Sequence, residues 1–182
     1  MQDDEKQDAI TIEGTERLCA DLRIDPADPL ILAFAWRLKA EKMCFFTRQQ
    51  FRVLAQYDVK TIADARDLLP ALMNQAMINF KSYYEFAFSF ALDKEKGERV
   101  LPLEVAMGMW QLVFANEKHT SKHLPSFFEF LQQSVVRGIT RDTWGLYLTF
   151  TEQVNLGCTN YSDEEAWPSL LDEYVEFVHS KA

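Results

Sequence analysis

Turn-forming residues are scarce in this sequence, with six glycines and six prolines in 182 residues. A many-stranded sandwich needs more of both, and a disordered chain is not 48% hydrophobic, so neither class fits. No apolar run approaches the roughly 18 residues of a membrane-spanning helix. Met1 to Ala9 are charged and polar, which leaves no signal-peptide core. Gln2 stands where an N-myristoylation motif requires glycine. Cys19, Cys44 and Cys158 are odd in number and widely spaced. They make neither a disulfide framework nor a zinc site, and read as reduced thiols of an intracellular chain. A basic stripe is also missing. The net charge is −9, the wrong sign for a nucleic-acid binder. The expectation is a soluble protein of the cytoplasm, the nucleus or both.

What is present is a large aromatic content, 14 Phe, 6 Tyr and 4 Trp, enough to bury a core in one domain or two small ones. Charge is uneven. From Thr140 onward eight acids (Asp142, Glu152, Asp163, Glu164, Glu165, Asp172, Glu173, Glu176) stand against two bases, Arg141 and Lys181, so this segment carries −6. Such an excess is either a solvated face or a docking surface for a basic partner, where the field speeds encounter.

Helix signals repeat along the chain. Met1 to Ala9 read as a flexible lead-in. Thr15 is a candidate cap ahead of Leu18 and Leu22. Asp28-Pro29 makes a cap and first-turn pair before Leu30, Ile31, Phe34, Ala35 and Leu38. Thr47 with Gln50 forms a capping box before Phe51 and Leu54. Thr61 opens a helix whose apolar side is Ile62, Ala65, Leu68 and Leu69, and Pro70 is expected to end, kink or restart it. Phe80 to Leu92 reads as a buried helix, although Phe86, Phe88 and Phe90 alternate as a strand would. Further helices are expected over Pro102 to Ala115, Pro125 to Gln133 and Arg141 to Val154. Ser162 with Glu165 has the form of a capping box and Pro168 suits a first helical position. A last helix would then turn Leu171, Tyr174, Val175 and Val178 inward and Asp172, Glu173 and Glu176 outward. No stretch has hairpin chemistry, so the fold expected is all-α.

Candidate chemistry is thin. Asp93 to Glu104 has the outline of a helix–loop–helix calcium loop, with Asp93, Glu95 and Glu104 at positions 1, 3 and 12. However, Gly97 stands at position 5 and Glu98 at position 6, where the sharp turn needs glycine. A second outline, Lys39 to Gln50, puts Lys39 and Met43 at ligand positions. Cys44 lies beside Phe45 and Phe46, an apolar setting rather than that of an activated thiolate. His119 and His123 lack a third metal ligand and read as surface histidines. No phosphate loop, nucleophile elbow or catalytic carboxylate pair is present. Spacing alone therefore suggests a binding module without cofactor or metal. The competing readings are a calcium-sensing helical adaptor and a cysteine enzyme using Cys44 or Cys158.

The C-terminal third is more specific. Ile139-Thr140-Arg141-Asp142-Thr143-Trp144, then Asn160-Tyr161 followed by Ala166-Trp167-Pro168 and Leu171-Asp172-Glu173-Tyr174-Val175-Glu176-Phe177, resemble the defective-in-cullin-neddylation (Dcn-like) family and its potentiating-neddylation (PONY) domain. The likeness extends upstream through Asp25-Pro26, Ala35-Trp36-Arg37, Cys44 with Phe46, and Phe86 to Ala91. It covers about Ile12 to His179. It implies a single helical domain over residues 10–180, with a degenerate EF-hand-like half (about 10–115) and a cullin-binding half (about 116–180). It also implies a monomeric, non-catalytic co-ligase that holds a cullin and the neddylation conjugating enzyme together. By motif, the family's cullin-binding patch falls on Asp142, Ala166 and Asp172. The pocket for the conjugating enzyme's N-acetylated methionine falls on Ile12, Ile31, Phe34, Cys44, Phe46, Phe90 and Leu112. Thr15 and Met43 depart from residues common in the family at this pocket. Some members carry an ubiquitin-binding segment or a lipidated tail ahead of the domain, and neither is expected this close to the first helix.

Overall fold

The structure, a computed structural model, describes residues 8–181. Residues 1–7 of the expected lead-in lie outside the described residues, whereas Ala9 is a buried strand residue. Among the described residues the helices are α1 (Ile12–Leu22), α2 (Pro29–Leu38), α3 (Arg48–Phe51), α4 (Ile62–Ile78), α5 (Phe80–Ala91), α6 (Leu103–Val113), α7 (Leu124–Gln133), α8 (Arg141–Gln153) and α9 (Ser169–Ser180), with a 3-10 segment at Arg52–Tyr57. None is long and apolar enough to cross a membrane.

Side-chain caps fix several of these starts. Asp28 accepts the Leu30 N–H at 2.8 Å and places Pro29 in the first turn of α2. Thr47 and Gln50 cap α3 reciprocally, with the Gln50 N–H 3.3 Å from Thr47 Oγ1 and the Thr47 N–H 2.9 Å from Gln50 Oε1. Thr61 and Asp64 do the same for α4. Hydrogen bonds to its carboxylate from the Lys60 and Thr61 backbones and the Thr61 hydroxyl hold Asp64 below the usual carboxylate range.

Three helix boundaries differ from expectation. α1 begins a turn early, capped at Thr11, so Thr15 lies inside the helix and is buried. α4 runs on through Pro70. The ring sits on the exposed side, and the buried row Ala65, Leu69, Leu72 and Ala76 holds the helix together past the backbone bond that proline cannot make. α9 starts at Ser169, with Pro168 as its cap rather than its first residue. A residue before proline is driven out of the helical region, so Trp167 cannot belong to a helix continuing through Pro168. Ser162 instead receives the Glu164 N–H at 3.3 Å within a turn.

Two short antiparallel pairs were invisible to local pattern because their strands are far apart in sequence. β1 (Ala9–Ile10) pairs with β2 (Phe46–Thr47), and β3 (Val100–Pro102) pairs with β4 (Gly138–Thr140) in the register Leu101 to Ile139. At Gly138 a Cβ would lie 2.6 Å from the Leu101 carbonyl oxygen, so only glycine permits that approach. α2 packs on α4 and α5 on α6, around one continuous hydrophobic cluster that runs from Ile10 to Val175. At its centre Trp110 and Trp144 stack at 4.9 Å. Tyr84 receives the Trp110 indole N–H at 2.8 Å and donates to the Trp144 carbonyl at 2.7 Å.

Candidate functional site

α8 begins where β4 ends. Thr140 accepts the Thr143 N–H at 3.1 Å, and Asp142 stands exposed in the first turn, where the helix dipole favours an acid. A surface cavity of about 420 Å³ joins Asp142 to Glu152 on the same side of α8 and to Glu85 and Lys81 of α5. Arg141 also borders this cavity, lying over the Phe88 ring and donating to Ser89 Oγ at 3.0 Å.

Between α8 and α9 the chain makes a tightly bonded loop. Asn160 donates to the Gln153 carbonyl at 2.8 Å and accepts the Asn155 N–H at 2.9 Å, which pins the loop to the end of α8. Cys158 takes a left-handed backbone conformation at φ 53°. The loop then delivers Tyr161 beside Trp167, with both rings packed against Phe150. The Tyr161 hydroxyl donates to Asp172 Oδ1. Burial and this carboxylate push the phenol well above the ordinary tyrosine range. Ala166 is exposed in the loop and Asp172 is half-buried in the first turn of α9.

The structure therefore places Asp172 and the loop bearing Ala166 at one neighbourhood near Phe150. Asp142 is eight residues before Phe150, about 12 Å along the axis of α8. The sequence reading quoted Asn160, Tyr161 and Trp167 as motif, and Glu152 as one of eight acids, without giving any of them work. The Asn-Tyr and Trp-Pro pairs were the available signal. The Trp167 indole N–H is buried and has no partner among the described residues.

The seven residues assigned upstream do not share one cavity. Phe34 and Phe46, ring centroids 6.3 Å apart, line a cavity of about 500 Å³ with Ile10, Leu18 and Phe51. Phe90 borders a second, about 400 Å³, with Trp36 and Phe86. Leu112 borders a third, about 430 Å³, with Pro29 and Met109. Ile31 is half-buried, and Ile12 is 62% exposed. Cys44 is exposed at φ 52° beside exposed Met43. Thr15 is buried, and its hydroxyl has no partner among the described residues.

The remaining candidates are accounted for by local contacts. Asp93 is held by Lys96 at 2.9 Å, which lowers its pKa, and Glu95 is held by Lys42 at 2.5 Å. The loop turns at Gly97, φ 69°, one residue before the calcium-loop position. No group of three or more metal-ligating side chains occurs among the described residues. Burial raises the pKa of Cys19 and Cys158, and partial desolvation with the nearby Glu16 charge raises that of the more exposed Cys44, the opposite of activation. His123 corrects an expectation, since it is 1% exposed. Its Nε2 faces the Val154 carbonyl at 2.9 Å and must donate there, leaving Nδ1 toward the Tyr174 hydroxyl at 3.2 Å. His119 stacks on Phe80 at 4.0 Å.

This is a mainly helical module that carries an acid in the first turn of α8, another in the first turn of α9, and a small exposed residue in the loop between them. The chain belongs to the cullin-binding family, as the family model described as "Cullin binding" matches residues 60–177. It is 41% identical over 179 residues to DCN1-like protein 3 of Xenopus laevis and 41% identical over 184 residues to that of Homo sapiens, each covering 96% of this chain and 58% of the relative. To DCN1-like protein 3 of Drosophila melanogaster it is 38% identical over 186 residues, 100% of this chain and 54% of the relative. The chain thus spans little more than half the length of the curated relatives it matches.

Proposed function

We propose that this chain is the docking module of a co-ligase for cullin neddylation, a scaffold that forms no covalent intermediate of its own. It binds the basic C-terminal winged-helix region of a cullin through Asp142, Ala166 and Asp172. It takes the N-acetylated tail of the neddylation conjugating enzyme at the apolar positions Ile12, Ile31, Phe34, Cys44, Phe46, Phe90 and Leu112, of which Phe34 and Phe46 line one cavity and the others would have to be brought to it on binding. Bringing donor and acceptor together converts a bimolecular encounter into an effectively unimolecular one. The observation that carries this reading is the α8–α9 face itself. Two helices of a cullin-binding-family chain each carry an acid in the first turn, and the loop between them exposes an alanine small enough to admit a partner's backbone.

The test is calorimetric titration with an isolated cullin winged-helix domain. Asp172→Lys and Ala166→Arg should each weaken binding at least about tenfold, the loss of one charge-assisted contact or the insertion of bulk. Unchanged affinity for both would remove this face from the function. In a second titration with acetylated and unacetylated tail peptides, equal binding would remove the acetyl-methionine site.

A further inference from the structure

Asp172 has no cationic partner among the described residues, yet it is not a free carboxylate. The Tyr161 hydroxyl occupies Oδ1. The tyrosine is itself held from three sides. Its ring lies 6.0 Å from those of Phe150 and Trp167, its N–H reaches the Cys158 carbonyl at 3.2 Å, and the preceding Asn160 is tied to both Gln153 and Asn155. Its phenol stays protonated, and so remains a donor, far above neutral pH.

Resting on the docking reading above, we propose that Tyr161 is a positioning residue: it fixes the Asp172 carboxylate with Oδ2 outward, so that this point of the face recognises a lysine ammonium in preference to an arginine fork. An arginine guanidinium gains its advantage over lysine by engaging both carboxylate oxygens at once. With Oδ1 already accepting from Tyr161, one arm of that fork must share an oxygen whose charge is partly spent, and the second arm gains less. An ammonium is a compact point donor and needs one oxygen only. Holding the carboxylate in place also removes part of the side-chain ordering that binding otherwise demands.

The experiment uses an isolated cullin winged-helix domain as probe, native and with each exposed lysine changed singly to arginine, titrated against the native chain, Tyr161→Phe and Asp172→Asn. The phenylalanine variant keeps the ring packing, and its melting temperature and near-ultraviolet circular dichroism check the fold. Tyr161→Phe should weaken binding of the native probe about five- to tenfold, the value of one hydrogen bond. At one probe lysine the change to arginine should weaken binding to the native chain, and that penalty should shrink in Tyr161→Phe. If Tyr161→Phe binds as tightly as the native chain while Asp172→Asn binds weakly, the inference fails and the docking reading stands. If Asp172→Asn also binds normally, both fail. The lysine-to-arginine series on the native chain needs no variant of this protein. Absence of any lysine preference there overturns the proposal even if Tyr161→Phe proves unstable.

Discussion

Tyr84 sits where three hydrogen bonds meet, two through its hydroxyl and one from the Trp144 indole to its carbonyl at 3.0 Å. Tyr84→Phe keeps the ring but leaves the Trp110 N–H buried and unpaired. It should lower unfolding free energy by about 1–3 kcal/mol, read from the midpoint of urea denaturation. A second prediction concerns pH. Tyr174 is fully buried and burial pushes its phenol up to about 12. Above the ordinary tyrosine value of about 10 the unfolded chain loses that proton while the folded chain keeps it. Stability should therefore fall as pH rises from about 10, and Tyr174→Phe should show a shallower decline between pH 9 and 11 in the same assay. The sequence disclosed little at this scale. His123 looked like a surface residue because its acceptor, the Val154 carbonyl, and its hydroxyl neighbour, Tyr174, arrive from distant elements. Motif singled out Asp142 and Asp172 for the proposed docking face, but gave no sign of the hydroxyl bonded to one oxygen of Asp172.

Elements were far more legible where a side chain caps the backbone locally. α2, α3 and α4 start at Asp28, Thr47 and Thr61, where the short-range chemistry pointed. The misses arose where tertiary packing or a proline overrode a plausible cap, as at Thr15 and Ser162. Strand pairing left no local trace, and it sets the start of α8 and hence the position of Asp142. Gly138→Ala would drive a methyl into the Leu101 carbonyl. The expected result is a loss of about 1–3 kcal/mol, with weaker winged-helix binding although no docking residue is touched. Normal affinity in a variant of lowered stability would show that β4 does not govern Asp142.

For the whole molecule, the expected division near residue 115 does not separate two cores. β3 pairs across it with β4, and Trp110 stacks across it on Trp144. Far-ultraviolet circular dichroism and tryptophan emission should therefore trace one coincident urea transition. A second, separated transition would argue for independent halves. The acidic excess after Thr140 acts at this scale too. Glu173 and Glu176 are exposed and add to the field around the proposed docking face. Raising salt from about 0.05 to 0.5 M should slow association with a basic winged-helix domain more than it speeds dissociation.

The indole pair at the centre also has an optical meaning. Trp110 and Trp144 lie nearly parallel, 8° apart in plane, at 4.9 Å. At that separation their excited states mix, and the native fold should show a split circular-dichroism band that vanishes when either becomes phenylalanine. Trp167, half-buried in the loop beside Ala166, is distant in role from that pair. Its emission should respond to an arriving partner while the split band stays fixed. On the docking reading proposed above, the molecule carries separate spectroscopic reporters of its integrity and of its occupancy, and no label is needed to read either one.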